Sequence, residues 1–307
     1  MQVVILSARA GWHTDELLRA LGERGHAGCV RPYEGLTSRI GGERSLGQLT
    51  SQDTLLFEAD AILARIIPGG SLEQIIYRVD ALHWMEARGM VVMNSPRAIE
   101  RSVDKFLTTA LLREAGLPTP ETVVCEGAAD AVSAVRSMGS AVIKPLFGSL
   151  GHGIIRVADP DVAFRVARSL EQTRAVFYVQ REIDHGGRDI RAFVVGGRVL
   201  GAIERRAPAG DWRTNVARGG AARSFELPAE WAQLAIAAAA AVSADYAGVD
   251  LLPSPSGSAL VVEVNGIPGW QGLQQATGLD VAGAIVAQLE HRIRASAVEP
   301  PAIGRPA

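Results

Sequence analysis

The segment VVEVNG places Glu263 and Asn265 two positions apart. In a β-strand successive side chains alternate, so these two share one face while Val262 and Val264 take the other. Upstream, GVDLLPSPSGSALVV has the turn signal Ser256-Gly257 between two apolar runs. A hairpin centred on that dipeptide sets Asp250 directly opposite Glu263. Two carboxylates and an amide oxygen on one face make an all-oxygen donor set, of the kind that holds Mg²⁺ together with nucleotide phosphates. Spacing alone supports equally an ordinary polar strand facing solvent.

Two lysines could meet such phosphates. Lys144 ends the apolar run AVIKPL, where an unpaired interior ammonium is costly and a phosphate would neutralise it. Lys105 follows Asp104 in a helical stretch, a setting in which lysines are ordinarily solvated. After Lys144, the run KPLFGSLGHGI carries Gly148, Gly151 and Gly153, and by itself reads as a phosphate cover, a histidine site or a hairpin turn. His152 has no ligand partner nearby in sequence, which argues against a metal there. Farther on, Arg205, Arg206, Arg213 and Arg218 surround Asn215 in RRAPAGDWRTNVARGG. Guanidinium groups bind phosphate and carboxylate through paired hydrogen bonds, so this block fits an acidic substrate or a phosphorylated intermediate. A mobile basic surface loop is the plainer alternative.

The elements that must position these groups alternate along the chain. QVVILS reads as a buried strand and TDELLRALGERG as a helix with Thr14 as its N-cap. DAILARI, LEQIIYRVDALHWMEARG and VVMNS continue the pattern, so residues 1–95 read as a βαβ-type domain with a parallel sheet. It lacks GxGxxG, which leaves a dehydrogenase reading little support. Ser95-Pro96 opens helices that stop at Gly116. ETVVC, AVIKPL, HGIIRV and AVFYVQREI read as strands, with helices at DAVSAVRSMG and near 160–171. DIRAFVVGGRVLGAIERRA is a hairpin turning at Gly196-Gly197. WAQLAIAAAAAVSA is a buried helix, another runs from Asp280 to Arg294, and the proline-rich stretch 297–307 reads as a disordered tail. The fold class is α/β, turning α+β in the C-terminal part.

Composition narrows the partners. Of 307 residues 48% are hydrophobic and 21% charged, with a net charge of −2, which gives no electrostatic reason to expect nucleic acid or an anionic membrane. Cys29 and Cys125 form no metal-ligand pattern and read as reduced thiols. No apolar run approaches the roughly 20 residues of a membrane span, and the N-terminus lacks the basic start of a signal peptide. A cytoplasmic protein is expected.

Taken in order, NSPRAIERSVDK, VIKPLFGSLGHGI, the arginine-rich block from DIR to ARGG, GVDLL and VVEVNGIPGW resemble the ATP-grasp superfamily and, more closely, its RimK-type α-L-glutamate ligases. The resemblance covers nearly the whole chain. It implies a pre-ATP-grasp domain at 1–95, a central subdomain with a glycine-rich lid at 96–180, and a C-terminal subdomain with metal and substrate sites at 181–296. By that resemblance Lys105 and Lys144 contact the nucleotide phosphates, and Gly148, Gly151 and Gly153 fold over them. Gln180, Glu182 and Ile183 fall on the hinge strand lining the adenine pocket, and Asp189 contacts the ribose. Asp250, Glu263 and Asn265 hold two Mg²⁺ ions (or Mn²⁺), while Arg205, Asn215 and Arg218 lie near the acyl phosphate and the substrate carboxylate. Arg181 stands where the family often has an acid, Ala217 replaces a common histidine, and NGIPGW departs from the usual ending.

The implied reaction is ATP-dependent ligation of a carboxylate to an amine through an acyl phosphate. L-glutamate is the implied amine and a small coenzyme, such as a tetrahydromethanopterin-type pterin, the implied acceptor. The alternatives are a protein C-terminus or carrier protein as acceptor, or a non-catalytic ATP-binding regulator. A homo-oligomer, dimer or tetramer, is implied as well.

Overall fold

In this computed structural model, residues 1–41, 47–148, 153–208, 221–254 and 257–298 are described. In chain order the first unit contains β1 (Gln2–Ser7), α1 (Trp12–Glu23), β2 (Ala27–Pro32), β3 (Leu36–Arg39), β4 (Gln48–Ser51), β5 (Thr54–Leu55), β6 (Ala61–Ala64), α2 (Leu72–Ala87) and β7 (Val91–Met93). The apolar runs form a parallel sheet in the order β2-β1-β6-β7. Alternation divides it between two cores: Val3 and Ile5 pack with Leu17 and Leu21, Val4 and Leu6 with Leu82 and Met85. The small antiparallel sheet β3-β4-β5 was not expected; LTSR and QLTS are too short and polar to stand out as strands. Thr14 is not the cap of α1. Gly11 holds that position, and the Thr14 hydroxyl accepts from Gly11 N–H at 2.8 Å while donating to Gly11 O at 2.7 Å.

Ser95 caps α3 (Pro96–Val103), its hydroxyl accepting from Ala98 N–H at 3.1 Å. Asp104 ends that helix and caps α4 (Lys105–Glu114), accepting from Leu107 N–H at 3.0 Å. An aspartate cap thus fixes where Lys105 leaves the chain. The second sheet, β10-β9-β11-β8, is antiparallel. It is built from β8 (Thr122–Cys125), β9 (Ala141–Pro145), β10 (Ile155–Val157) and β11 (Phe177–Arg181), with α5 (Ala128–Met138) and α6 (Pro160–Glu171) between them in sequence. Val135, Ala163, Ile143 and Phe177 share its core.

The third sheet, β14-β13-β12-β15-β16, is also antiparallel. Its strands are β12 (Arg188–Val195), β13 (Arg198–Arg206), β14 (Ala221–Ser224), β15 (Tyr246–Pro253) and β16 (Ala259–Asn265). The alanine-rich α7 (Ala229–Ala241) covers one face through Ala235, Ala238 and Ala239. On the other face Phe193 and Ile203 pack with α8 (Gln271–Thr277) and α9 (Val281–Val298). Helix α9 runs through Ala297 and Val298, into the stretch expected to be tail; residues 299–307 lie outside the described ones.

The first and third sheets meet at Trp270, which is 1% exposed and belongs to the same core as Ile5 and Phe193. Asn94, fully buried after β7, donates to Tyr246 O (2.8 Å) and Gly266 O (2.5 Å) and accepts from Asp245 N–H and Tyr246 N–H. Arg65, buried after β6, donates to Pro268 O at 3.1 Å and lies over the Trp270 ring at 4.7 Å. The parallel sheet therefore grips the β15–β16 hairpin at the end away from its turn. No described helix is long and apolar enough to cross a membrane, and both cysteines are free thiols.

Candidate active site

Two β-bulges assemble the charged face of the third sheet. Next to the Gly196-Gly197 turn, Val195 pairs with Arg198 and Val194 with Val199, but Phe193 pairs with Gly201, so Leu200 is an extra residue. Beyond it Asp189 faces Arg205. Near the other turn Leu251 faces Val261 while Asp250 faces Glu263, so Val262 is extra. Asp250 thus stands opposite Glu263 as the sequence suggests, although a longer loop compensated by a bulge produces the pairing. Bulges beside functional sites commonly re-aim side chains in this way.

Asp250 lies between Arg191 on β12 and Glu263 on β16. Arg191 Nε and Nη2 donate to its two oxygens at 2.6 Å each, and Arg205 Nη2 approaches Oδ2 at 3.0 Å. Arg205 also donates to both Asp189 oxygens, at 2.6 and 2.7 Å. Arg205, Asp189 and Asp250 are all buried. Burial would raise the Asp250 carboxyl, but Arg191 and Arg205 override it and hold the group well below the usual carboxylate range. Arg205, expected near the substrate, is set between two aspartates, and Asp189, expected at the ribose, is turned to Arg205. Arg191 was not singled out in the sequence. The signal was available, because alternation in DIR puts Arg191 on the face of Asp189.

Glu263 and Asn265 are half-buried on that face. Among the described residues no hydrogen bond or ion pair reaches the Glu263 carboxylate, and its charge is the strongest acidic influence on both Lys105 and Lys144. Lys105 sits one residue past its cap and donates to Gly148 O at 2.9 Å and Leu146 O at 3.4 Å, at the start of the glycine-rich stretch. Lys144 Nζ donates to Gln180 Oε1 at 2.6 Å. Burial lowers both ammonium groups, Lys144 to about 8. From different elements, Lys105 therefore comes within the influence of Glu263, and Lys144 within that of Glu263 and Asp250.

The donor set fits a hard cation. Asp250, Glu263 and Asn265 all offer oxygen. Asn265 Nδ2 points to Gly248 O at 3.4 Å, which leaves Oδ1 as its outward end. A carboxylate has about four lone-pair sites, and three N–H groups already occupy Asp250. No group of three or more His, Cys, Asp or Glu side chains suited to a metal occurs among the described residues. A cation here would need oxygens from phosphate or water to complete its shell.

A cleft of about 320 Å³ is lined by Ser140, Arg156 and residues 182–187. Strand β11 ends at Arg181, so Glu182 and Ile183 follow the strand and enter the cleft wall; Glu182 N–H still bonds Ser140 O at 3.1 Å. The Glu182 carboxylate takes the Ser140 hydroxyl and Arg156. Gln180 lies on the strand but is buried with its amide turned to Lys144. Arg181 pairs with Glu121, so the basic residue at the hinge has its own partner. Gly148 and Gly153 flank residues 149–152 with positive φ angles of 153° and 71°. Gly151, His152, Asn215 and Arg218 lie outside the described residues.

A family model described as a RimK-like ATP-grasp domain matches residues 102–289. Among curated proteins, the tetrahydromethanopterin:alpha-L-glutamate ligase of Methanosarcina acetivorans is 35% identical, over 91% of this chain and 95% of that protein. A probable alpha-L-glutamate ligase of Trichodesmium erythraeum is 35% identical, over 95% of this chain and 97% of its own length. Among solved structures, the ATP-grasp ligase PsnB, complexed with a phosphomimetic variant of its minimal precursor, Mg and ADP, superposes with a TM-score of 0.72 at 21% identity, covering 94% of this chain and 98% of that one. A RimK domain protein from Sphaerobacter thermophilus gives 0.70 at 22% identity, covering 94% and 100%. These two likenesses concern the fold.

Proposed function

Since the chain belongs to the RimK-like ATP-grasp family and is an ATP-grasp ligase, we propose that it joins L-glutamate to the carboxylate of a small coenzyme, with ATP cleaved to ADP and phosphate. The observation that carries the chemistry is the approach of Lys105 and Lys144 to Glu263, whose carboxylate has no hydrogen bond or ion pair among the described residues. Two ammonium groups near such a carboxylate fit a polyphosphate bound with a divalent cation. The likeness to the tetrahydromethanopterin:alpha-L-glutamate ligase over nearly the full length favours a pterin-type acceptor over a protein C-terminus or carrier protein.

In this reading an acceptor carboxylate oxygen attacks the γ-phosphorus and the bond to the β-phosphate oxygen breaks, giving an acyl phosphate and ADP. The glutamate amine then attacks the acyl carbon; phosphate leaves and the nitrogen gives up a proton. The chain supplies no covalent nucleophile. Lys105 and Lys144 hold the phosphates, and the family resemblance assigns Gly148, Gly151 and Gly153 to the cover over them. Glu182 and Ile183 border the adenine, with Gln180 behind Lys144. Asp250, Glu263 and Asn265 would hold Mg²⁺, two ions by the family resemblance with Mn²⁺ able to substitute, which when bound neutralises charge on the transferring phosphoryl group. Arg191, Arg205 and Asp189 keep Asp250 ionised and oriented, and the family resemblance assigns Asn215 and Arg218, outside the described residues, to the acyl phosphate and the substrate carboxylate. Covering the phosphates also excludes water, to which an acyl phosphate would be lost.

The test is ADP release from Mg²⁺-ATP with L-glutamate and a panel of pterin, peptide and carrier-protein acceptors, read by mass for one added glutamyl unit. Glutamylation of a pterin-type acceptor supports the reading. ATP cleavage confined to peptide or protein acceptors would replace the acceptor, and no cleavage with any of them would favour an ATP-binding regulator.

A further inference from the structure

Lys144 is the last-but-one residue of β9 and stands directly opposite Tyr178 on β11. Its ammonium reaches Gln180, two residues further along the same face, and Gln180 is held from two sides. Its Nε2 donates to Thr122 Oγ1 at 3.0 Å on β8 and to Tyr178 OH at 2.9 Å. Both amide hydrogens are thereby used, so the amide oxygen must be the end presented to Lys144, at 2.6 Å. The Tyr178 hydroxyl accepts from Gln180 and also shares a hydrogen bond with Thr109 Oγ1, 2.7 Å away on α4, in which either oxygen can donate. Tyr178 and Gln180 are 1% and 3% exposed; buried networks of this kind fix orientation only when every member is satisfied.

The far end of this chain is as informative as the near end. Thr109 lies one helical turn beyond Lys105 on α4, and residues four apart share a helix face. The hydrogen bonds thus run without a gap from the helix that carries Lys105 to the ammonium of Lys144. They cross from α4 to β11 and then to β9 and β8, the elements on which the two lysines depend for their separation. Among the described residues, Thr109, Thr122 and Tyr178 have no hydrogen bond to the charged face of the third sheet.

We propose that Thr109, Tyr178 and Gln180 are positioning residues for nucleotide binding, a single hydrogen-bonded chain that sets the spacing of Lys105 and Lys144 and aims the Lys144 ammonium. The inference rests on the reading of both lysines as phosphate contacts. Its consequence is that removing one hydroxyl from the chain weakens the grip on nucleotide while leaving both lysines in place.

The experiment measures binding of Mg²⁺-AMPPNP to the full chain by calorimetry for Thr109→Val, Thr109→Ser, Tyr178→Phe and the Thr109→Val/Tyr178→Phe double variant. Valine matches threonine in shape and lacks the hydroxyl, whereas serine keeps it. The expected result is a Kd raised about tenfold in Thr109→Val and in Tyr178→Phe, and within about twofold of wild type in Thr109→Ser. The double variant should bind no more weakly than Tyr178→Phe alone, because members of one network are not additive. A merely structural threonine would lower the melting temperature and leave the Kd of the folded protein alone. Should Tyr178→Phe fail to fold, the valine–serine pair at Thr109 decides. Wild-type affinity in Thr109→Val, or a double variant weakened by the product of the single effects, overturns the inference and leaves the nucleotide reading standing. Failure of the wild type to bind Mg²⁺-AMPPNP overturns both.

Discussion

Glu263→Gln separates the chemistry of the site from the stability of the fold. The substitution keeps the side chain's size and removes one negative charge. Because no described hydrogen bond or ion pair reaches this carboxylate, the fold loses only its attraction to Lys105 and Lys144. For half-exposed charges that do not touch, this is worth on the order of 1 kcal/mol or less. The melting temperature should therefore fall by no more than roughly 2–4 °C. The proposed chemistry loses much more. With three N–H groups already on Asp250, Glu263 is the carboxylate of the donor set with the most room for a cation. Losing a charge contact of this kind in phosphoryl transfer costs about 3–4 kcal/mol, or roughly 10²–10³ in rate. Coupled-enzyme detection of ADP with saturating Mg²⁺-ATP, paired with calorimetric melting, reads both quantities from one preparation. A variant that melts like wild type and still releases ADP at more than a tenth of the wild-type rate would refute the assignment. A variant melting more than about 8 °C lower would refute the claim that this carboxylate bears no structural load.

Asp250→Asn should fail in both respects, since it takes a carboxylate from two guanidinium groups in a buried cluster. Breaking such a pair costs about 3–5 kcal/mol, read as a melting temperature lowered by roughly 5–15 °C; unchanged melting would contradict the cluster. Nucleotide binding should weaken at alkaline pH. Burial lowers Lys144 to about 8, and phosphates prefer its charged form. The Kd for Mg²⁺-ADP should be flat below pH 8 and rise by up to about tenfold per unit above it, with proton uptake visible in calorimetry; a flat profile to pH 9.5 would count against it. The free protein should move the opposite way, since an unfolded lysine still holds its proton between about pH 8 and 10.5 while folded Lys144 has released it. Lys144 therefore adds stability as pH rises through that window, measurable by denaturant titration. Asn94→Ala removes four hydrogen bonds tying the parallel sheet to Tyr246 and Gly266, and at about 1 kcal/mol each should destabilise by roughly 3–4 kcal/mol in urea. A loss below about 1 kcal/mol would show that the junction is not held there.

The parts of the site legible in the sequence are those set by strand alternation and by short capping signals. Glu263 and Asn265 share a face because they are two apart, and Ser95-Pro96 opens a helix because of what those residues do at a first turn. Residues placed by contacts between sheets were not legible in the same way. Nothing near Arg65 or Asn94 announces that they reach Pro268 and Gly266, and the amide of Gln180 turns from the cleft toward Lys144 because of Thr122 and Tyr178.

The bulges lie between these cases, and one of them left a trace. A two-residue turn at Gly196-Gly197 with no bulge would carry its register to the end of the hairpin and set Asp189 opposite Glu204. Like charges directly across a strand pair are destabilising, so that register contradicts itself. One extra residue, Leu200, resolves it by setting Asp189 against Arg205. Glu204 then falls opposite Ile190 on the other face, where burial would raise its carboxyl but the hydrogen bonds from Arg223 and Arg206 hold it low. The second hairpin gives no such warning. Without the extra Val262, Asp250 would face a valine, and a carboxylate opposite an apolar side chain is unremarkable at a sheet edge. A charge conflict across an assumed register is therefore usable sequence information about a bulge, whereas a charge lacking a partner is not. The alternation DIR…ERR contains enough of that conflict to place Arg205 beside Asp189, and with it the support of Asp250, before any coordinates are known.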